Sequence, residues 1–153
     1  MLTANGIKPV AVSQQVFEYT WLLGAFSPID GKHLLMETDN CNSDFFQIFI
    51  NDLSMTGIDE LMLVLLDNAS FHKAKKLQLP DNIALIYIPP YSPELNPAEK
   101  IWLRFKRAFT NKPFKTIGEV SNFLTEQTCL LSEVAVISTC AFEWIMAWNN
   151  WTV

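Results

Sequence analysis

Residues 61–67 read Leu61-Met62-Leu63-Val64-Leu65-Leu66-Asp67, and residues 83–88 read Ile83-Ala84-Leu85-Ile86-Tyr87-Ile88. Each stretch is a short, unbroken apolar run. A half-buried strand alternates apolar with polar residues, so unbroken runs predict strands buried on both faces of a sheet. Asp67 ends the first run. The second is followed by Pro89-Pro90-Tyr91-Ser92-Pro93-Glu94-Leu95-Asn96-Pro97, a stiff loop with four prolines. Asn96 as N-cap and Pro97 at the first helical position open a helix to about Phe109. Its buried side carries Ile101, Trp102, Phe105 and Phe109. Strand, connection, strand and helix in this order predict an α/β layer fold, a mixed sheet with helices on its faces.

The flanking sequence agrees. Val16–Phe26 reads as a strand ending at Gly24, Ser27–Gly31 has turn chemistry, and His33–Glu37 reads as the returning strand of a hairpin. Asn42 or Ser43 caps a helix over roughly Asp44–Ser54, with Phe45, Phe46, Ile48, Phe49 and Leu53 as its apolar face. A short helix is expected over Phe71–Leu77. Thr116 and Glu119 have capping-box spacing, and the chain beyond them reads as helical, with Trp144 and Trp148 one turn apart.

The 153 residues are enough for one domain, and half are hydrophobic, which excludes a disordered chain. Three widely spaced cysteines and two histidines supply neither a disulfide framework nor the usual zinc set. Free thiols and the lack of a signal peptide or membrane span point to a cytoplasmic protein. The net charge of −5 excludes a histone-like binder but hides an asymmetry. Residues 1–72 hold two basic and nine acidic side chains, a net of −7. Residues 73–115 hold nine basic and three acidic, a net of +6, and residues 116–153 hold four acids and no lysine or arginine. A basic block between acidic ones fits a local anionic partner or, equally, a solvated helix face.

Asp67 ends a strand, and Glu99 lies in the first turn of the helix after the next strand. If the strands are neighbours, both carboxylates reach one sheet edge, where α/β sites form. Two hard oxygen donors suit Mg²⁺ or Mn²⁺. Each acid also has a structural reading. Asp67 with Asn68 caps a following helix, and Asn96-x-x-Glu99 has capping spacing. Lys100, Arg104 and Arg107 follow i, i+4, i+7 on the face opposite Ile101 and Phe105, beside Glu99. With Lys73 they are the candidate phosphate contacts. His72 and Asn68 are accessory candidates, and a lone histidine is more often a structural one.

Leu63-Val64-Leu65-Leu66-Asp67-Asn68-Ala69-Ser70-Phe71-His72, followed by Ile88-Pro89-Pro90-Tyr91-Ser92-Pro93-Glu94-Leu95-Asn96-Pro97-Ala98-Glu99-Lys100-Ile101-Trp102, resembles the catalytic domain of DDE transposases, in the bacterial insertion-sequence branch related to the mariner elements. The similarity is readable over about Gly6–Phe109. It implies a ribonuclease-H-like fold and metal-dependent DNA cleavage and strand transfer at transposon ends. Three acids would hold two Mg²⁺ or Mn²⁺ ions. Asp67 matches the second acid and Glu99 the third, with 31 residues between them, slightly fewer than the mariner-type spacing.

The family's first acid lies on its first strand, upstream of the segment matched by Gly6–Val10, and no residue here matches it. The expectation is therefore a single, N-terminally truncated catalytic domain over residues 1–153, without its first strand and without the family's helix-turn-helix DNA-binding domain. The resemblance implies DNA (transposon ends and target) as partner, with a homodimer or full-length transposase as protein partner and no membrane. Three origins fit the gap: one half of a split reading frame, a decayed fragment, or a non-catalytic chain that binds and regulates intact transposase. An unrelated Mg²⁺ phosphatase is disfavoured, because Asp67-Asn68-Ala69 lacks the D-x-D pattern.

Overall fold

The computed structural model describes residues 19–67 and 76–149. Strands β1 (Trp21–Phe26) and β2 (His33–Thr38) pair antiparallel, with Trp21 opposite Thr38 and Phe26 opposite His33. Helix α1 (Ser43–Met55) follows. Strands β3 (Met62–Leu66) and β4 (Ile83–Tyr87) pair parallel, with Leu66 opposite Tyr87. Helices α2 (Ala98–Phe109), α3 (Ile117–Cys129), α4 (Glu133–Cys140) and α5 (Glu143–Asn149) complete the order. Both parallel and antiparallel pairs are present, as a mixed sheet requires. Among the described residues they form two two-stranded sheets rather than one.

The hairpin tip follows its turn chemistry. The Ser27 N–H donates to Lys32 O at 2.8 Å, and the Lys32 N–H to Asp30 Oδ1 at 3.1 Å. Lys32 Nζ pairs with Asp30 Oδ2 at 2.9 Å. Gly31 takes φ +78°, a left-handed conformation that side chains resist. A Cβ on Gly31 would also overlap the Glu133 main chain, so the tip packs directly on the start of α4. Gly24 does not end β1. It pairs with Leu35 in mid-strand, where a Cβ would come within 2.7 Å of the Trp102 ring. The glycine marks a close approach of α2 to the strand, not a turn.

Helix α1 is capped as expected. Asn42 Oδ1 accepts from the Asp44 and Phe45 N–H groups at 3.0 and 3.1 Å. Its buried apolar residues are Phe46, Phe49, Ile50 and Leu53, whereas Ile48 is 48% exposed. The buried stripe is thus narrower than the expected face and centred on Ile50. It packs with Leu66 and Ile83 and with Leu23, Ala25, Leu34 and Met36, so one helix covers both strand pairs. Amides fasten it in place. Gln47 exchanges two 2.7 Å bonds with the Gln78 main chain, and Asn82 Nδ2 donates to Ser54 O and Gly57 O at 3.0 Å.

A second core lies across β1 and β2. Ile101, Phe105, Leu124, Leu131, Val136 and Cys140 pack there against Leu22, Phe26, Leu35 and Trp102. Phe109, Phe114 and Phe123 form a ring cluster beside it, Phe109 and Phe123 being 4.8 Å apart at their centroids. Strand β3 departs from expectation. Met62, Val64 and Leu66 face α1, but Leu63 is 54% exposed, so the strand is covered on one face and partly open on the other. The α2–α4 core spans the hairpin and does not extend over β3.

The hairpin tip yields two expectations. Gly31→Ala should cost about 2–4 kcal/mol, combining left-handed strain with overpacking. Gly118→Ala, with only Thr116 Oγ1 nearby at 3.8 Å, should be neutral or stabilising by up to about 1 kcal/mol. Equal effects in urea melts would contradict the packing of the tip on α4. For Asp30, burial opposes ionisation, but hydrogen bonds from Ser27 and Lys32 and the Lys32 charge outweigh it, lowering the pKa from 3.8 to about 2. A depressed folded-state pKa stabilises above the unfolded value and is lost as pH falls through the folded one. Asp30→Asn should therefore cost under about 1 kcal/mol at neutral pH, given solvent screening. The difference from the parent protein should close between about pH 4 and pH 2; a pH-independent gap in thermal melts would count against the hairpin network.

Candidate active site

Asp67 leaves β3 directly after buried Leu66 and is exposed. Leu66 O accepts the Ile88 N–H at 2.9 Å, so Asp67 emerges beside Ile88, where the chain departs for the proline loop. The end of β2 comes to the same place. Cys41, three residues beyond Thr38, has its thiol pKa raised by burial and, secondarily, by the charge of Asp67. Thr38 lies opposite Trp21, and its carbonyl accepts from Thr20 Oγ1 at 3.2 Å. The start of β1 and the ends of β2 and β3 therefore share one edge.

Glu99 reaches that edge from α2. It lines a cleft of about 430 Å³ with Tyr19, Thr20 and Leu22 from the start of β1 and with Trp102 and Lys106 from its own helix. The strands thus bring Asp67 and Glu99 to the same end of the fold. Helix α2 spans Ala98–Phe109, one residue shorter at its start than expected, although Pro97 already adopts helical angles, a difference of the size usual at a helix end. Asn96 still caps: its Oδ1 accepts the Ala98 N–H at 3.1 Å, and its carbonyl accepts the Glu99 N–H at 3.1 Å. A capping box would send the Glu99 carboxylate back to the Asn96 N–H, but that N–H is donated to Pro93 O at 3.0 Å. The Glu99 carboxylate is exposed at the cleft instead.

Two exposed carboxylates at one edge are the hard-oxygen donors that Mg²⁺ or Mn²⁺ prefers. Among the described residues, no three His, Cys, Asp or Glu side chains converge into a metal-holding group. Asn68, His72 and Lys73, with most of the expected Phe71–Leu77 helix, lie outside the described residues. Burial, partly offset by the Lys100 charge, pushes the Cys140 thiol pKa up to about 11, and all three described cysteines are free.

The basic face is present with one modification. Lys100, Arg104 and Arg107 are exposed, and Leu103 is exposed among them. The Lys100 ammonium lies over the Phe142 ring, 4.1 Å from its centroid, so it also ties α2 to the start of α5. Lys106 was missed by the sequence reading although its signal was present. It follows Glu99 by seven residues, two turns, and so shares the cleft face with Glu99 and Trp102.

Three likenesses to known proteins bear on this arrangement. The family model described as DDE superfamily endonuclease matches residues 3–121, which include both carboxylates and the whole of α2. An uncharacterized protein of Sinorhizobium fredii, y4pE/y4sA, is 34% identical over 105 residues, 67% of this chain and 77% of that protein. The structure titled Mos1 transposase paired-end complex with left transposon end superposes with a TM-score of 0.68 at 15% identity, over 92% of this chain. This chain spans 46% of that one's length, and the likeness establishes the ribonuclease-H-like fold. No helix of the described residues is long and apolar enough to cross a membrane. With the family match covering most of the sequence and both acids inside it, the chain belongs to the DDE superfamily endonucleases.

Proposed function

We propose that this chain is the catalytic portion of a DDE-type transposase, which cuts DNA at insertion-sequence ends and joins the freed strand to target DNA. The observation that carries the reading is the arrival of Asp67 and Glu99 at one strand edge, inside the family match. In this reading the two acids hold Mg²⁺ or Mn²⁺, and a third carboxylate comes from outside the described residues or from another polypeptide. A divalent ion bound there would supply Lewis-acid charge and an activated oxygen for phosphodiester cleavage. The chain's own cations do the positioning. Arg104, Arg107 and Lys100 take backbone phosphates along the outer face of α2, while Lys106 sits within the cleft beside Glu99. The partner is DNA, with a second copy or a full-length transposase completing the assembly.

A second reading rests on the absence of a third clustered acid among the described residues. In it the chain binds DNA or intact transposase without cutting and so restrains transposition. A calorimetric Mn²⁺ titration separates the two. The parent protein should bind, and Asp67→Ala and Glu99→Ala should each lose the binding isotherm. Binding that survives in both variants would overturn the metal assignment, whereas DNA binding without metal binding would favour the restraining role.

The phosphate contacts have their own signature. Arg104→Ala and Arg107→Ala should each reduce the slope of log affinity against log salt by about 1, whatever the DNA sequence. Lys100→Ala should do the same and also lower thermal stability by about 0.5–1 kcal/mol through loss of the Phe142 contact. An unchanged salt slope in all three would remove α2 from the DNA interface.

A further inference from the structure

We infer that Tyr91 is a base-stacking residue, a ring held beside the carboxylate edge to receive one unstacked base of a DNA strand. The inference rests on the reading above, in which the chain acts on DNA, and adds a substrate contact to it.

Three observations single the residue out. Tyr91 is 101% exposed, so its ring gives up the burial that a large aromatic normally gains. Its backbone has φ 60°, a left-handed conformation that is unfavourable for a bulky side chain. The other described non-glycine residue with positive φ is Asn111, a type that tolerates it. An exposed ring on a strained backbone contributes nothing visible to packing, and such strain concentrates at ligand contacts.

The loop around it is rigid. Pro89, Pro90 and Pro93 fix the backbone on both sides, and the Leu95 and Asn96 N–H groups close a short helical turn onto Ser92 O and Pro93 O at 3.1 and 3.0 Å. Little conformational freedom is left to lose when a base docks.

Its position suits the task. Ile88 lies beside Asp67 in the parallel pair. Three extended residues span at most roughly 10 Å and a strand spacing adds about 5 Å, so the Tyr91 backbone is within about 15 Å of Asp67. At about 3.4 Å of rise per nucleotide, that is a few bases from a phosphate at the carboxylate edge. The loop leads directly into the helix whose outer face carries Lys100, Arg104 and Arg107, so the surroundings favour an anionic strand over an apolar protein partner. A base presents its face to a side chain only when unstacked, so the occupant is a single-stranded or flipped nucleotide.

The test uses the full chain and a mixed-sequence single-stranded oligonucleotide with the fluorescent base 2-aminopurine placed at successive positions. Stacking on Tyr91 should quench one position. Tyr91→Ala should abolish that quenching and weaken binding about 5- to 150-fold, the range for one lost base–aromatic stack. Tyr91→Phe and Tyr91→Trp should retain both, since stacking needs the ring and not the hydroxyl. Tyr91→Gly should raise the melting temperature by relieving the backbone while losing binding as alanine does, a pairing that a purely structural residue would not show. Parent-like affinity and quenching in the alanine and glycine variants would overturn the inference and leave the DNA reading intact. Loss of binding in Tyr91→Phe would assign the effect to the hydroxyl and also overturn it. Failure of the parent protein to bind DNA would overturn the broader reading and this inference together.

Discussion

Strand β1 is apolar on both faces, and the positions of both candidate acids depend on it. Leu23 and Ala25 point into the core beneath α1, while Leu22 and Phe26 point into the core beneath α2. Strand β2 divides in the same way, with Leu34 and Met36 on one side and Leu35 on the other. The hairpin is therefore the wall between two cores. The first core positions β3 and hence Asp67. The second positions α2 and hence Glu99. Gly24 is where the wall is thinnest, because Trp102 rests on the strand where any larger residue would intrude. The relative placement of the two carboxylates is thus set across this wall.

That arrangement explains which parts of the fold were legible in the sequence. The hairpin, the two apolar strands, the proline loop and the helix caps each carry a local signal and are present; β1 begins at Trp21, five residues after the expected Val16, which itself lies outside the described residues. Gly24 was misread because a glycine at a strand end and a glycine under a tryptophan look identical in one dimension. Ile48 and Ile50 exchanged roles because the helix is centred by Leu66 and Ile83, residues distant in sequence. Leu63 belongs to an unbroken apolar run, and that run says nothing of whether a helix covers the second face.

The candidate site was legible in a similar measure. Asp67 and Glu99 could be singled out by strand-end placement and by wording, and the fold brings both to one end. The choice between a metal ligand and a capping residue could not be made from Asn96-x-x-Glu99 spacing. The structure speaks only to the capping half of that choice, because the Asn96 N–H is already committed to Pro93. Lys106 was readable from its spacing to Glu99, yet it competed with three better-aligned cations on the outer face. Lys100 was placed correctly on that face, but its contact with Phe142 joins residues 42 apart and has no local signature.

The charge pattern follows from the same geometry. The segment of net +6 contains the proline loop and α2, while most of the acids lie in segments on either side of it. A chain of overall charge −5 repels a polyanion at long range, so the DNA binding proposed above would depend on the local face and be sensitive to salt. The α2 helix resolves the conflict by dividing its surface. Ile101 and Phe105 hold it against the second core, Glu99 and Lys106 open onto the cleft, and Lys100, Arg104 and Arg107 face solvent. One helix thereby joins the fold's packing, its acidic edge and its cationic surface. A change in its register would disturb all three together, because each face is fixed by the same turn of the same backbone.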